Sequence, residues 1–200
     1  MQTFVDDVPE IETARPARWT RAELERIEEM GILEGKQYEL IDGELFEKMG
    51  KNPPHVIAVH EIVAWLSGVF GYTFVNHDAI AEPSIPDAVV SRPEPDVFVL
   101  TQPVREFRKR HPCPNEVRLL IEVSDSTVKQ DLSKKAALYA RAEIADYWVL
   151  DIKRRRLVVH RDPENGQYRT RLVVDEHESI APLAAPDKPF PVAHALLPVE

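Results

Sequence analysis

Residues 118–151 read RLLIEVSDSTVKQDLSKKAALYARAEIADYWVLD, and this stretch decides the architecture. It continues an almost unbroken apolar run from Val117 to Val123, as a strand covered on both faces requires. It closes on a second such run, Ile144 to Asp151. Between them, Leu132 to Glu143 wound at about 100° per residue gathers Leu132, Ala136, Leu138, Tyr139 and Ala142 on one broad apolar arc. Two residues break the pattern. Glu122 interrupts the first strand, and Lys135 falls inside the apolar arc, whereas Lys134 lies on the solvated side with Arg141. A buried ammonium is costly without a partner. A carboxylate on the neighbouring strand end is such a partner, and so is a metal site that handles an anionic substrate.

Upstream, Asp96 to Leu100 reads as a strand that follows Pro95. Shorter strands are predicted at Tyr72 to Asn76 and Ala88 to Val90, and residues 101–115 as a charged loop. Pro53 and Pro54 suit the first turn of a helix running from about His55 to Val69, with His55 and His60 near its start. Asp42-Gly43 is a two-residue hairpin turn. Pairing across it sets Ile41 against Glu44 and Glu39 against Phe46, so both glutamates share one partly apolar face. Thr20 and Glu23 form a capping box before a helix that Gly31 closes. Downstream, LVVH and YRTRLVV flank Glu164-Asn165-Gly166 as a hairpin, and the tail from Pro182 reads as an extended edge segment. The pattern predicts an α/β (α+β) fold with a central mixed sheet flanked by helices, plus an N-terminal helix and β-hairpin. Residues 1–17 are expected to be poorly ordered, and residues 18–200 to form a single domain.

The bulk numbers narrow the function. Two hundred residues, 44% hydrophobic, are enough for one globular core. No apolar run is long enough to span a bilayer, the N-terminus is acidic rather than a secretory signal, and Cys113 is the single cysteine; a reducing cytoplasm is the expected location. A net charge of −9 argues against a protein that coats nucleic acid non-specifically. Two basic runs, Arg105 with Arg108 to Arg110 and Lys153 to Arg156, are either phosphate-steering patches or solvated loops. Seven glycines and no glycine-rich phosphate loop argue against nucleotide-driven chemistry. His111-x-Cys113 lacks a second ligand pair nearby, and Ser126 and Thr127 read as turn or cap residues.

The candidate chemistry lies in Asp96, Glu122 and Lys135. Two acids on adjacent strands can hold a divalent cation through oxygen ligands, with water completing the shell. A lysine on the packed helix then supplies fixed positive charge. The same spacing also fits a purely structural Glu–Lys ion pair.

Pro95-Asp96 followed by Glu122-Val123-Ser124 resembles the PD-(D/E)xK nuclease signature, except that Ser124 stands where a lysine is usual. One branch resembles the chain from about Thr20 to Pro198: the Uma-type restriction-endonuclease family, in which the lysine has moved to the following helix. The matching stretches are YELIDGEL, His55 with its helix, PDVFVL, LLIEVSDST, Asp131-x-x-x-Lys135-x-x-x-Tyr139, ADYWVLD and the proline-rich tail. The resemblance implies a restriction-endonuclease-like core and Mg²⁺-dependent (or Mn²⁺-dependent) hydrolysis of DNA. It implies Asp96 and Glu122 as metal ligands, Lys135 as the catalytic lysine, Glu44 in preference to Glu39 as an additional acid, and His55 as a supporting residue. Glu143 stands where the family often has glycine. A homodimer is expected, because cutting both strands of a duplex usually takes two sites. The rival expectation is a nuclease fold without turnover, acting in binding or regulation.

Overall fold

The computed structural model describes residues 17–33, 35–48 and 52–198. Most of the segment expected to be poorly ordered lies outside these residues. The predicted buried strand is β5 (Val117–Ser124), and its six C-terminal residues are all buried. It pairs in parallel with β6 (Asp146–Asp151), the second apolar run. The other partners are antiparallel: β3 (Val75–His77), β4 (Val97–Leu100), β7 (Arg156–Glu164) and β8 (Gln167–Asp175), in the order β3-β4-β5-β6-β7-β8. The central sheet is therefore mixed, as expected.

Alternation along β5 sorts its side chains onto two faces. Leu119, Ile121 and Val123 pack with Ala58, Ile62 and Leu66, which recur every four residues along α2 (Pro53–Phe70). Leu120 packs on the opposite face with Tyr139 and Ala142 of the crossover that links β5 to β6. That crossover is not one regular helix. It runs as α3 (Val128–Gln130), a π-helical turn (Asp131–Lys135) and α4 (Ala136–Arg141).

Helix α1 (Arg21–Glu29) carries the expected capping box, with Thr20 and Glu23 each bonded to the other's backbone. It is followed by the hairpin of β1 (Tyr38–Ile41) and β2 (Glu44–Glu47) in the expected register. Asp42 and Gly43 both have positive φ, and a Cβ on Gly43 would stand 2.7 Å from Arg18 Cβ. Arg141 fastens this turn to the core by bonding both Asp42 and Asp87.

Three local expectations are corrected. Residues 87–89 form a 3-10 turn rather than a strand, because Pro86 starts a tight turn whose Asp87 is held by Ser84 and Arg141. Residues 72–74 are also a 3-10 turn, so β3 begins only at Val75. The proline-rich tail is more than an edge. It pairs β10 (Phe190–Pro191) with β9 (Ser179–Ile180), then inserts Phe190, Val192, Ala195 and Leu196 into the core beside α2.

Two buried or strained positions give stability tests. Glu143 ends α4 with φ at 58°, the left-handed region that disfavours a side chain. Glu143→Gly is expected to stabilise the fold by about 0.5–1 kcal/mol, read from urea unfolding. His160 is buried between the rings of Tyr147 and Tyr168, at 5.4 and 5.5 Å. Burial, with help from the Arg171 charge, pushes its imidazole down to about 4. The folded state keeps it neutral, so this stability is complete above pH 6.5 and is lost as pH falls towards 4, about 3 kcal/mol in all. Melting curves of His160→Phe should lack this component of the acid sensitivity.

Candidate active site

The extension of the β4–β5 register sets the geometry. Val97 pairs with Ile121, so Asp96 lies beside Glu122 on the face that α4 covers. Asp96 Oδ2 accepts the Val123 N–H at 2.8 Å, which fixes the carboxylate against the end of β5. Its Oδ1 lies 3.3 Å from His55 Nε2. His55 is brought there by the first turn of α2, where the Asn52 side chain caps the His55 N–H and also donates to Asp125.

Lys135 reaches the same place from the crossover. Its Nζ stands 2.8 Å from Glu39 Oε2, 3.0 Å from Glu122 Oε1 and 3.6 Å from Asp131 Oδ1. The π turn widens the helix at this point, and π turns are rare and concentrate at functional sites. Asp131 is itself held by the hydroxyls of Ser124 and Thr127, each at 2.6 Å. Tyr139 donates to Glu122 Oε1 at 3.0 Å. Glu39 Oε1 accepts the Glu94 N–H at 2.8 Å.

Glu39, Asp96, Glu122, Asp131 and Lys135 are all buried, so four carboxylates face one ammonium. Burial pushes the Glu122 carboxyl well above the usual range; Lys135 pulls it back, while Asp131, Asp96 and Glu39 push it further up. Lys135 is held well above the ordinary lysine value, because its three carboxylates outweigh the cost of burial. Asp96 is the opposite case. Its burial penalty is overcome by His55, the Val123 N–H and Lys135, and its carboxyl is held below the ordinary value. A cavity of about 110 Å³ opens beside these groups, lined also by Phe46, Asp125, Thr127 and Gln130.

Asp96, Glu122, Lys135 and His55 are thus brought together, and Glu44 is not. Glu44 lies on the outer strand of the hairpin with half its side chain exposed, paired with Lys134. Glu39 occupies the interior instead, because β1 is the inner strand: Leu40 bridges to Arg92 on its far side. The shared face of Glu39 and Glu44 was readable from the turn, but which strand lies inside is set by a contact 52 residues away. Ser124, at the position where a lysine is usual, supports the π turn through Asp131.

A six-stranded mixed sheet, helices on both faces and an acidic group at one end of the central strands define a restriction-endonuclease-like α+β fold. The Uma2 family, described as "Putative restriction endonuclease", matches residues 21–192, and the chain belongs to that family. A crystal structure from Anabaena variabilis ATCC 29413, described as "a putative nuclease belonging to DUF820", has the same fold, with a TM-score of 0.60 and 15% identity over 79% of this chain and 88% of that one. No curated protein matches the chain significantly.

Among the described residues, no three His, Cys, Asp or Glu side chains converge at metal-ligand spacing. Asp96 and Glu122 both line the cavity, and two carboxylates completed by water would fit Mg²⁺ better than zinc.

Lys135 also dominates the local energetics. Lys135→Met should destabilise the fold by about 3–5 kcal/mol, since it strands Glu39 and Asp131 without counter-charge. Glu122→Gln, which removes an acid that resists ionising, should hold or raise the melting temperature in chelator. Urea unfolding at neutral pH measures both.

Proposed function

We propose that the protein is a divalent-metal-dependent DNA endonuclease. The observation that supports this reading most directly is the excess of buried negative charge at a water-accessible cavity, in a chain of this family. Asp96 and Glu122 would hold Mg²⁺ or Mn²⁺, whose charge would offset that excess. When bound, the ion supplies charge neutralisation at a phosphate and lowers the pKa of water. The chain's own groups do the rest. His55 and the Val123 N–H keep Asp96 ionised and oriented. Glu39 and Asp131, the latter braced by Ser124 and Thr127, fix the Lys135 ammonium beside Glu122. Because its proton is held so firmly, Lys135 acts as a fixed charge and hydrogen-bond donor to the attacking water or the phosphate, not as a general base. A cytoplasmic homodimer is part of the same reading, since double-strand cleavage usually needs two sites. Among the described residues, no helix is long and apolar enough to cross a membrane.

One observation favours the rival reading of a module without turnover. The three protons of Lys135 already face three carboxylates. Two measurements separate the readings. Purified protein with Mg²⁺ or Mn²⁺ should nick supercoiled plasmid, and Asp96→Ala and Lys135→Ala should each lower the rate by about a hundredfold or more. Calorimetric titration with Mn²⁺ should show binding that Glu122→Gln removes. Nicking at the wild-type rate by both alanine variants would overturn the assigned roles. Absence of both nicking and Mn²⁺ binding would favour the inactive module.

A further inference from the structure

The two basic runs differ in how their charge is used. In the second, every cation has a local acid: Lys153 pairs with Asp125, Arg154 and Arg156 with the buried Asp151, and Arg155 with Glu176. That run is neutralised where it stands. In the first, Arg110 is satisfied by a bidentate pair with Glu116, but Arg105 has only its exposed neighbour Glu106. Arg108 and Lys109 are exposed and have no acidic partner among the described residues. Residues 101–118 carry five cations against two acids, so the remainder of the chain holds a net charge of −12. A positive surface on so acidic a molecule is a concentrated feature rather than a share of a mixed surface.

Its place in the fold is equally specific. The 3-10 turn Val104–Phe107 lies against the turn Tyr72–Phe74. Tyr72 is 79% exposed there, and Arg118 lies over the Phe74 ring at 5.9 Å. Exposed guanidinium groups on a turn packed against one that carries an exposed aromatic ring match the chemistry of a phosphate backbone with an unpaired base, and an acidic peptide would leave the ring unused. The surface is not part of the catalytic pocket. It surrounds the start of β5, and Glu122 lies five residues further along that strand, about 17 Å away. That distance corresponds to about five base pairs of duplex.

We propose that Arg105, Arg108, Lys109, Arg118 and Tyr72 form a second nucleic-acid-binding surface at the opposite end of the sheet from the acidic cluster. It holds the backbone of the DNA cleaved under the proposed function, and rests on that reading only for the choice of DNA. The test is fluorescence anisotropy with labelled 30-residue single strands and 30-base-pair duplexes, in chelator so that no cleavage intervenes. Arg105→Ser, Arg108→Ser and Lys109→Ser combined should weaken binding at about 100 mM salt at least about tenfold, and should reduce the log–log salt slope by about 2–3. Tyr72→Ala should weaken single-strand binding about fivefold or more and leave duplex binding close to wild type. Lys153→Ser should leave both slopes unchanged. These positions are on the surface, so unchanged melting curves will confirm that the variants fold. Equal affinity and slope for wild type and the triple variant, no DNA binding by wild type, or patch-dependent binding to heparin or an acidic peptide but not to DNA would each overturn the proposal. Patch-dependent DNA binding by a protein that neither nicks plasmid nor binds Mn²⁺ would uphold this surface and count against the nuclease reading instead.

Discussion

The constraint on which the site depends is a shortage of positive charge in a buried place. One ammonium, Lys135, is shared by Glu39, Glu122 and Asp131. Each of these carboxylates comes from a different element, so the ion group also fixes three joints of the fold: the hairpin against the sheet, the crossover against β5, and the π turn within the crossover. Removing the ammonium would leave several charges stranded at once. Asp96 stands slightly apart, ionised through His55 and a backbone N–H rather than through the lysine alone. The site therefore contains one carboxyl held down by its partners and one pushed up by burial, on adjacent strands.

Much of this was legible in the chain. Val117 to Val123 and Ile144 to Asp151 are apolar beyond what a half-exposed strand needs, and both proved to be central. The hairpin register followed from Asp42-Gly43, whose backbone requires positive φ. The misplacement of Lys135 on an apolar arc located the cluster, because hydrophobic burial and an ammonium conflict unless something compensates them. What could not be read was set by long-range contacts. Glu39 and Glu44 are equivalent in any local pattern, and only the bridge from Leu40 to Arg92 makes one strand interior. The π turn has no local signature either, since Asp131 to Lys135 would wind equally well as an ordinary helix. Residues 88–90 carry two strand-like valines, but Ser84 and Arg141 hold the preceding Asp87 in a tight turn.

The two basic runs show how little a charge count decides without partners. In sequence they look alike. In the fold, one is consumed by Asp125, Asp151 and Glu176, while the other leaves Arg108 and Lys109 without an acidic partner among the described residues. Net charge is a statement about long-range fields, and it conceals an asymmetry between the two ends of the same sheet.

The five charged groups of the cluster come from positions 39, 96, 122, 131 and 135, and β5 becomes an interior strand only when β6 pairs beside it. No short fragment brings them together. During synthesis, a ribosome must release most of the polypeptide before the parts can meet. A product truncated before β6 would keep individual carboxylates without the fold that brings them to their common ammonium.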